Sequence, residues 1–210
     1  MKIQLYVDST ESWMYPYAKR ILNNLIERGH DARIVYKDSI IEKGDILFLL
    51  ACSRLFKQLD LNTHTLVVHS SFLPEGRGWS PMTWQVLQGK SVIPNTLFEA
   101  TPGVDEGEIY LQNTFELSGY ELLDELKAKQ GNAIVELIDE YISNYLKLIP
   151  AKQEGTPTYY PKRLPRDSKL DIDKTIKEQF NLLRVCDNKN YPAFFEIGEH
   201  KYLVKIEKVQ

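Results

Sequence analysis

Residues 45–51 read DILFLLA, and every position after the aspartate is apolar. A strand that is apolar on both faces is typical of the centre of a parallel sheet that is covered by helices. Three further β-rich runs lie around it in the sequence, at 2–7, 32–36 and 65–69. Apolar residues also recur at helical spacing over 12–28, and a short helix is expected at 54–59. The alternation of strands and helices predicts an α/β fold with a mostly parallel sheet.

The second half of the chain departs from this alternation. Its predicted elements are a helix at 81–88, a strand hairpin at 91–100 and 108–115, and a long helix at 119–148. Residues 151–167 contain three prolines and one glycine with little apolar periodicity, which is typical of a connector. The predicted elements after it are a helix at 172–185 and strands at 193–197 and 202–206.

These elements predict three parts of unequal size. The main α/β domain is expected over 1–150, the connector over 151–168, and a small α+β appendage over 169–210. A chain of 210 residues suffices for one domain of ordinary size with a small addition. The main domain is therefore expected to carry the catalytic site.

Charge and composition argue against several classes of function. Lysine and arginine together number 26 against 29 aspartates and glutamates, so the formal net charge is −3. A surface that neutralises phosphate backbones needs excess positive charge, so nucleic acid is not expected as the main partner. No apolar run approaches the ~20 residues of a membrane span, and residues 1–8 resemble a strand rather than a signal peptide. We expect no membrane association and a cytoplasmic location.

The two cysteines do not indicate a metal site or a disulfide framework. Cys52 and Cys186 have no second cysteine or histidine at ligand spacing. Both are expected to be reduced, packed thiols. We therefore predict no metal ion.

One of the four histidines stands apart from the others. His30, His64 and His200 lie in polar or turn contexts that are typical of surface residues. His69 instead closes an apolar strand and opens a loop rich in glycine and proline. Because ligands of open α/β sheets bind outside the carboxyl ends of the strands, His69 is the first candidate catalytic residue.

Two motifs connect this histidine with an acid further along the chain. Residues 67–81 read VVHSSFLPEGRGWSP, and residues 104–109 read VDEGEI. Together they resemble the 10-formyltetrahydrofolate-dependent formyltransferases, whose strand-end motif is Asn-x-His-x-Ser-Leu-Leu-Pro-x-x-x-Gly and whose second motif is Asp-x-Gly. Residues 45–59 and 121–141 look like that family's folate-lining segment and long helix.

The end of the chain refines the resemblance. Residues 158–163 (TYYPKR) and 187–194 (DNKNYPAF) look most like the branch that formylates amino groups of nucleotide-linked deoxysugars. The resemblance thus covers nearly the whole chain. It implies a Rossmann-like sheet, 10-formyltetrahydrofolate as formyl donor, and as acceptor a nucleotide-linked amino sugar of the kind used for surface polysaccharides such as O-antigen. A homodimer is one alternative for the oligomeric state, which the sequence leaves open.

The resemblance also implies roles for individual residues. His69 would be the general base and acid, because an imidazole with its ordinary pKa of about 6.5 exchanges protons at neutral pH. Asp105 would orient the ring and stabilise its charged form. By analogy with the family, the pterin would lie against Leu55, Phe56, Leu73, Thr101, Pro102 and Val104.

Aromatic and cationic residues supply the acceptor candidates. Stacking faces beside positive charges suit a base and a diphosphate, although a solvated basic linker has the same composition. The candidates are Arg77, Trp79, Tyr159, Tyr160, Lys162 and Arg163. The acid-rich span 124–140, which also holds Lys127 and Lys129, is interpreted as a solvated helix face.

One position departs from the family pattern. Val67 stands where the family has an asparagine, whose implied role is to donate a hydrogen bond to the developing oxyanion. Loss of one such donor typically costs ~10²–10³ in rate. Ser70, Ser71 or a backbone N–H of the 76–79 loop could replace it, and we then expect an asparagine at position 67 to destabilise the sheet without raising the rate.

Three alternative functions follow from the same residues. Methionyl-tRNA could be the acceptor, or water in a deformylase, or the protein could bind folate or a nucleotide sugar without catalysis. Negative charge speaks against tRNA. A water acceptor leaves the tyrosine-rich connector without a role, and the valine at position 67 favours a non-catalytic protein.

Overall fold

The structure is a computed structural model that describes residues 1–36, 39–53 and 56–209. Its strands in this part of the chain are β1 (Lys2–Val7), β2 (Asp31–Tyr36), β3 (Gly44–Leu49), β4 (Asn62–His69), β5 (Arg77–Gly78), β6 (Val92–Glu99), β7 (Ile109–Glu116), β8 (Tyr159–Tyr160), β9 (Ala193–Ile197) and β10 (His200–Val204). The α-helices are α1 (Tyr15–Glu27), α2 (Pro81–Leu87), α3 (Leu123–Asn144) and α4 (Phe180–Val185).

Six of these strands form the central sheet, in the order β2-β1-β3-β4-β6-β7. The first four are parallel, and β6 and β7 are antiparallel to their neighbours. The prediction of an α/β fold with a mostly parallel sheet is confirmed. The strand that decides it, β3, lies between β1 and β4 and is buried from Ile46 to Leu49.

The two faces of the sheet are covered differently. Both α1 and α3 pack on one face, where Ile3, Leu5, Phe48 and Leu66 form the main core with the apolar sides of the helices. The other face, with Leu47 and its neighbours, is covered by the smaller cluster that includes residues of the 50–56 segment. Within the described residues this cluster contains no helical residue, and loops and a cavity described below lie on the second face.

Two predicted helices differ from those observed. A helix is expected at 54–59, but residues 54 and 55 lie outside the described residues. The helical turn that the structure describes near this segment is a 3-10 helix at Leu59–Leu61. The helix expected at 172–185 begins only at Phe180. The reason lies in Gln179, whose amide oxygen accepts a hydrogen bond from the Asp171 N–H at 2.6 Å and whose Nε2 donates to the Asp171 carbonyl at 2.9 Å. Such side-chain bonds compete with the helical backbone ladder.

The C-terminal part packs on the main domain through both apolar and charged residues. Val185 of α4 joins the cluster of Met82, Val86 and Ile93. Beside it, the Arg184 guanidinium lies 3.7 Å from Glu121, and both side chains are almost fully buried. The division of the chain at residues 150 and 168 stays a prediction.

Glu121 provides a test of this packing. Its carboxylate accepts hydrogen bonds from the Ser118 N–H at 2.7 Å and the Gly119 N–H at 3.1 Å. Burial acts to raise the pKa of this carboxyl, but these hydrogen bonds outweigh it and lower the pKa to about 2. A lowered pKa gives stability that is present above the unfolded-state value and is lost as the pH falls towards the folded-state value.

We therefore expect Glu121→Gln to lower the free energy of unfolding by roughly 1–3 kcal/mol at pH 7, because it also leaves the Arg184 charge buried without its partner. The difference from wild type should shrink as the pH falls from about 4.5 to about 2. Urea unfolding at a series of pH values measures it, with the exposed Glu125→Gln as control. A constant difference across this range, or an equal loss in the control, would contradict the assignment.

Within the described ranges, no helix combines the length and the apolar character that crossing a bilayer requires.

Candidate functional site

The candidate site is built around the loop that follows β4. His69 is the last residue of this strand, and the chain then turns through a loop to the short strand β5. This loop is held by the connector, because β5 pairs with β8 in parallel. The Arg77 N–H donates to the Thr158 carbonyl at 2.9 Å, and the Trp79 N–H donates to the Tyr160 carbonyl at 3.1 Å. The segment predicted as a connector is thus a structural part of the site.

The two nitrogens of the His69 ring have different surroundings. Nε2 lies 2.8 Å from the carbonyl oxygen of Gly76. A carbonyl oxygen can only accept, so Nε2 must carry the hydrogen of this bond. Nδ1 lies 3.6 Å from Oδ2 of Asp105. Nδ1 is therefore the nitrogen that is free to take up and return a proton.

Asp105 is held in place by its own backbone and by two neighbours. Its φ of +53° places it in the left-handed region, which Asp and Asn adopt more readily than most residues. Oδ2 accepts a hydrogen bond from the Gly78 N–H at 2.8 Å. Gln153 of the connector donates to the carbonyls of Asp105 and Gly107, at 2.8 Å and 2.9 Å. The carboxylate is thereby fixed against the His69 loop.

Position 107, at the end of this turn, requires glycine for a steric reason. A Cβ on Gly107 would lie 1.6 Å from the carbonyl oxygen of Glu99. No larger residue fits there, because the turn passes directly over the end of β6. At Gly107 the turn therefore comes close to the protein's own backbone.

A cavity of about 230 Å³ opens on one side of His69, and we call it the Phe56 cavity. Apolar side chains on the loop-covered face of the sheet form its floor, and Asp105 lies at its edge. The apolar lining residues are Leu49, Phe56, Val67, Phe98, Ala100 and Val104. Of the predicted folate-binding residues, Phe56, Thr101 and Val104 line this cavity, whereas Leu73 and Pro102 do not. Leu55 lies outside the described residues.

A second cavity of about 380 Å³ reaches His69 from another side, and we call it the Lys127 cavity. It adjoins the Phe56 cavity, and the lining residues common to both are Ala51, Cys52, Ser53, His69, Gly78 and Trp79. Trp13 and residues of α2 and α3 form its remaining walls. Sequence reasoning predicted Trp79 here, but it missed Lys127 and Gln130, which it had placed on a solvated helix face.

The predicted acceptor residues occupy different places. Arg77 is buried, and its guanidinium donates to Glu106 at 3.1 Å, to Gln153 at 2.7 Å and to the Tyr159 hydroxyl at 3.3 Å. Its guanidinium therefore joins the His69 loop to the Asp105 turn, instead of facing water or either cavity.

The other predicted acceptor residues of the connector each have different neighbours. The Lys162 ammonium lies 4.7 Å from the centre of the Trp79 ring, and this ring lines both cavities. The Tyr160 ring stacks on Trp84, with centroids 6.2 Å apart. Arg163 instead donates to the Asp167 carbonyl at 3.1 Å, within the connector.

The candidate replacements for the missing asparagine are engaged or turned away. Ser70 donates its hydroxyl to Asn95 at 2.7 Å, and Ser71 is buried, so neither lines a cavity. The N–H groups of residues 76–79 are all used, since each donates to Thr158, Asp105 or Tyr160. None of these side chains or N–H groups is therefore presented to either cavity, and the identity of the replacement donor stays a prediction. Val67 itself lines the Phe56 cavity and is half-buried.

His64 also differs from its predicted place in a polar loop. It lies in β4, with Nδ1 3.0 Å from Glu99 and 3.2 Å from the Tyr110 hydroxyl. His64 precedes His69 by five residues in the sequence. No residue of this cluster lines either cavity. Among the side chains that the structure describes, no group of three or more His, Cys, Asp or Glu could hold a metal ion.

Comparison with known proteins identifies one family. Residues 42–140 match the family described as "Formyl transferase". The chain is 33% identical over 146 residues to the methionyl-tRNA formyltransferase of Fervidobacterium nodosum, a match that covers 69% of this chain and 47% of that protein. The chain thus spans about half the length of the curated relatives that it matches.

Solved structures share the fold. A methionyl-tRNA formyltransferase from Clostridium thermocellum superposes with a TM-score of 0.84 at 19% identity, over 100% of this chain and 94% of the other. A 4-N formyltransferase from Francisella tularensis gives 0.76 at 20%, over 100% and 98%. HypX from Aquifex aeolicus in complex with tetrahydrofolic acid gives 0.79 at 18%, over 98% and 37%.

Proposed function

Because residues 42–140 belong to the formyl transferase family, we propose that this protein transfers a formyl group from 10-formyltetrahydrofolate to the amino group of a nucleotide-linked amino-deoxysugar. One observation carries the proposal. The His69 ring, paired with Asp105, lies between two cavities that both reach it. A transfer between two substrates requires this arrangement, since both must approach one proton-exchanging group.

The Phe56 cavity suits the flat pterin ring of the donor, because its apolar side chains can pack against the faces of the ring while backbone groups can meet its polar edge. Leu49, Phe56, Val67 and Phe98 offer a surface for a ring system, and the 100–105 segment borders it. When bound there, the donor supplies an activated formyl group on a nitrogen that can leave. The tetrahydrofolate complex of HypX, a protein of similar fold, supports this choice of ligand.

The chemistry that falls to this chain is proton transfer and charge stabilisation. Nδ1 of His69 accepts a proton from the attacking amine, while Nε2 keeps its hydrogen on the Gly76 carbonyl. The Asp105 carboxylate, 3.6 Å away, stabilises the resulting imidazolium. The imidazolium then returns the proton to the leaving nitrogen, and while charged it also lies beside the developing oxyanion.

A prediction about Val67 follows from this mechanism. Ser70 and the N–H groups of residues 76–79 are engaged, and Ser71 lines neither cavity. An asparagine at position 67 would add a side-chain donor on the same strand face as His69. We expect Val67→Asn to raise turnover ~10-fold or more, because one oxyanion donor is typically worth 10²–10³. The cost in unfolding free energy should stay below about 1 kcal/mol, because this half-buried position opens to a cavity where water can satisfy the amide.

The control for this prediction is Val67→Leu, which is similar in shape to asparagine but has no hydrogen-bond donor. Steady-state turnover and urea unfolding of both variants measure the effect. A stability loss of several kcal/mol in Val67→Asn without a rate gain would restore the earlier expectation from the sequence and contradict the one derived from the cavity.

Three observations bear on the acceptor. The curated relatives are methionyl-tRNA formyltransferases, which favours methionyl-tRNA as the second candidate. A formal net charge of −3 favours a small acceptor over tRNA, since that partner needs a broad basic surface. The Lys162 cation beside the Trp79 ring, which lines both cavities, suits a nucleotide.

The test offers the protein a donor with a radiolabelled formyl group. Separate reactions contain a panel of amino-sugar nucleotides, methionyl-tRNA, or no acceptor. We expect labelled amide on at least one amino-sugar nucleotide. Label on methionyl-tRNA alone would establish the second candidate. Formate released without acceptor would indicate a deformylase, and folate binding without any reaction would indicate a binding protein.

A further inference from the structure

The Lys127 cavity differs in charge from its surroundings. Helix α3 is rich in acids, yet the residues that line this cavity include no carboxylate. Among the lining residues that the structure describes, Lys127 is the only lysine or arginine. The cavity therefore presents net positive charge beside His69 when Lys127 is protonated.

Helical spacing explains how Lys127 reaches this position. Leu123, Lys127 and Gln130 are separated by four and three residues, so they lie on one face of α3. All three line the cavity. Gln130 is held there because its Nε2 donates to the Ser70 hydroxyl at 2.6 Å. The loop after His69 and this face of α3 are thus joined into one wall.

Lys127 makes fewer polar contacts with the rest of the fold than the nearby Lys129 does. Lys129, two residues later, donates to the Glu116 carbonyl at 3.0 Å and pairs with Glu121 at 3.5 Å. Lys127 is half-buried, and among the described residues it makes no hydrogen bond or salt bridge. Asp187 interacts with it electrostatically but lies beyond salt-bridge distance.

A half-buried cation that makes no hydrogen bond or salt bridge is available to an anionic ligand. The cavity places such a ligand next to the ring that exchanges the proton of the attacking amine. It is also separate from the apolar floor that suits the donor, since Phe56, Val67 and Phe98 line only the other cavity.

We propose that the Lys127 cavity is the acceptor site and that Lys127 binds a phosphate of the nucleotide-linked amino sugar, while Trp13 and Trp79 flank the bound molecule. This inference rests on the proposed function. It adds the position of the acceptor, a residue that determines its affinity, and the direction from which the amine reaches His69.

The test compares Lys127→Gln with Lys147→Gln. Lys147 lies just beyond the other end of α3, about 30 Å away at 1.5 Å per residue, and is exposed. Both changes remove one positive charge. We expect Lys127→Gln to raise KM for the amino-sugar nucleotide ~10-fold or more, since a hydrogen bond to a charged group is lost. Its kcat and its KM for 10-formyltetrahydrofolate should change less than threefold, and Lys147→Gln should match wild type.

A binding measurement separates this inference from the proposed function. Titration calorimetry with inorganic pyrophosphate should show binding to wild type and Lys147→Gln, and weaker binding to Lys127→Gln. If wild type formylates no amino-sugar nucleotide but this difference is found, the proposed function fails and the anion site stands. Equal pyrophosphate binding in all three proteins, no binding in wild type, or a raised KM for the folate donor would overturn the acceptor site.

Discussion

Replacement of His69 by asparagine or alanine is expected to lower turnover at least ~10²-fold, because a group that both removes and returns a proton typically contributes 10²–10⁴. Folate affinity should remain nearly unchanged, since the floor of the Phe56 cavity is formed by other residues. The loss should appear in kcat with either substrate in excess. Stopped assays of formyl transfer and titration of the folate measure the two quantities separately.

His64 provides a matched control on the same strand. His64→Asn also removes a half-buried histidine from β4, together with its contacts to Glu99 and Tyr110. It should reduce stability without changing turnover, since His64 lines neither cavity. If a folded His69→Asn protein keeps more than a tenth of wild-type turnover, His69 is structural and the proposed mechanism is wrong.

The second large effect is expected from Asp105→Asn. Asparagine also tolerates the left-handed φ of +53°, and its side-chain oxygen can still accept the hydrogen bond from Gly78. The substitution therefore removes the negative charge beside Nδ1 and little else. We expect turnover to fall ~10²-fold or more, because the imidazolium loses the carboxylate that stabilises it.

The neighbouring acid supplies the control for Asp105. Glu106→Gln removes one negative charge from the same turn, and its oxygen can still accept from Arg77. Its turnover should stay within about threefold of wild type. Asp105→Ala should lose stability as well as rate, because the left-handed conformation is then strained and the bond to Gly78 is absent. An unchanged rate and pH–rate profile in Asp105→Asn would remove Asp105 from the mechanism.

The proposed catalytic pair could be selected from the sequence alone. His69 ends an apolar parallel strand, and the end of such a strand lies at the ligand-binding edge of an α/β sheet. Asp105 follows from the motif that accompanies the histidine in a known family. The ring nitrogen that exchanges the proton could not be predicted. It depends on the Gly76 carbonyl, which the loop places 2.8 Å from Nε2.

For two residues, charge and hydropathy along the chain predicted surroundings that differ from those in the structure. Lys127 lies in an acid-rich helix and was read as solvated, although the turn of α3 directs it into a cavity. Arg77 was a candidate for phosphate binding, but Glu106 and Gln153 hold its guanidinium. In both cases the deciding contacts come from segments far apart in the sequence.

The sequence by itself determined the strands, the mostly parallel sheet and the histidine at the strand end, because hydrophobic periodicity and turn residues act over a few neighbouring positions. Only the tertiary structure decided that α1 and α3 share one face, that the connector pairs with β5, and that two cavities meet at His69. These features arise from packing and hydrogen bonds between distant segments, whose partners no local pattern specifies.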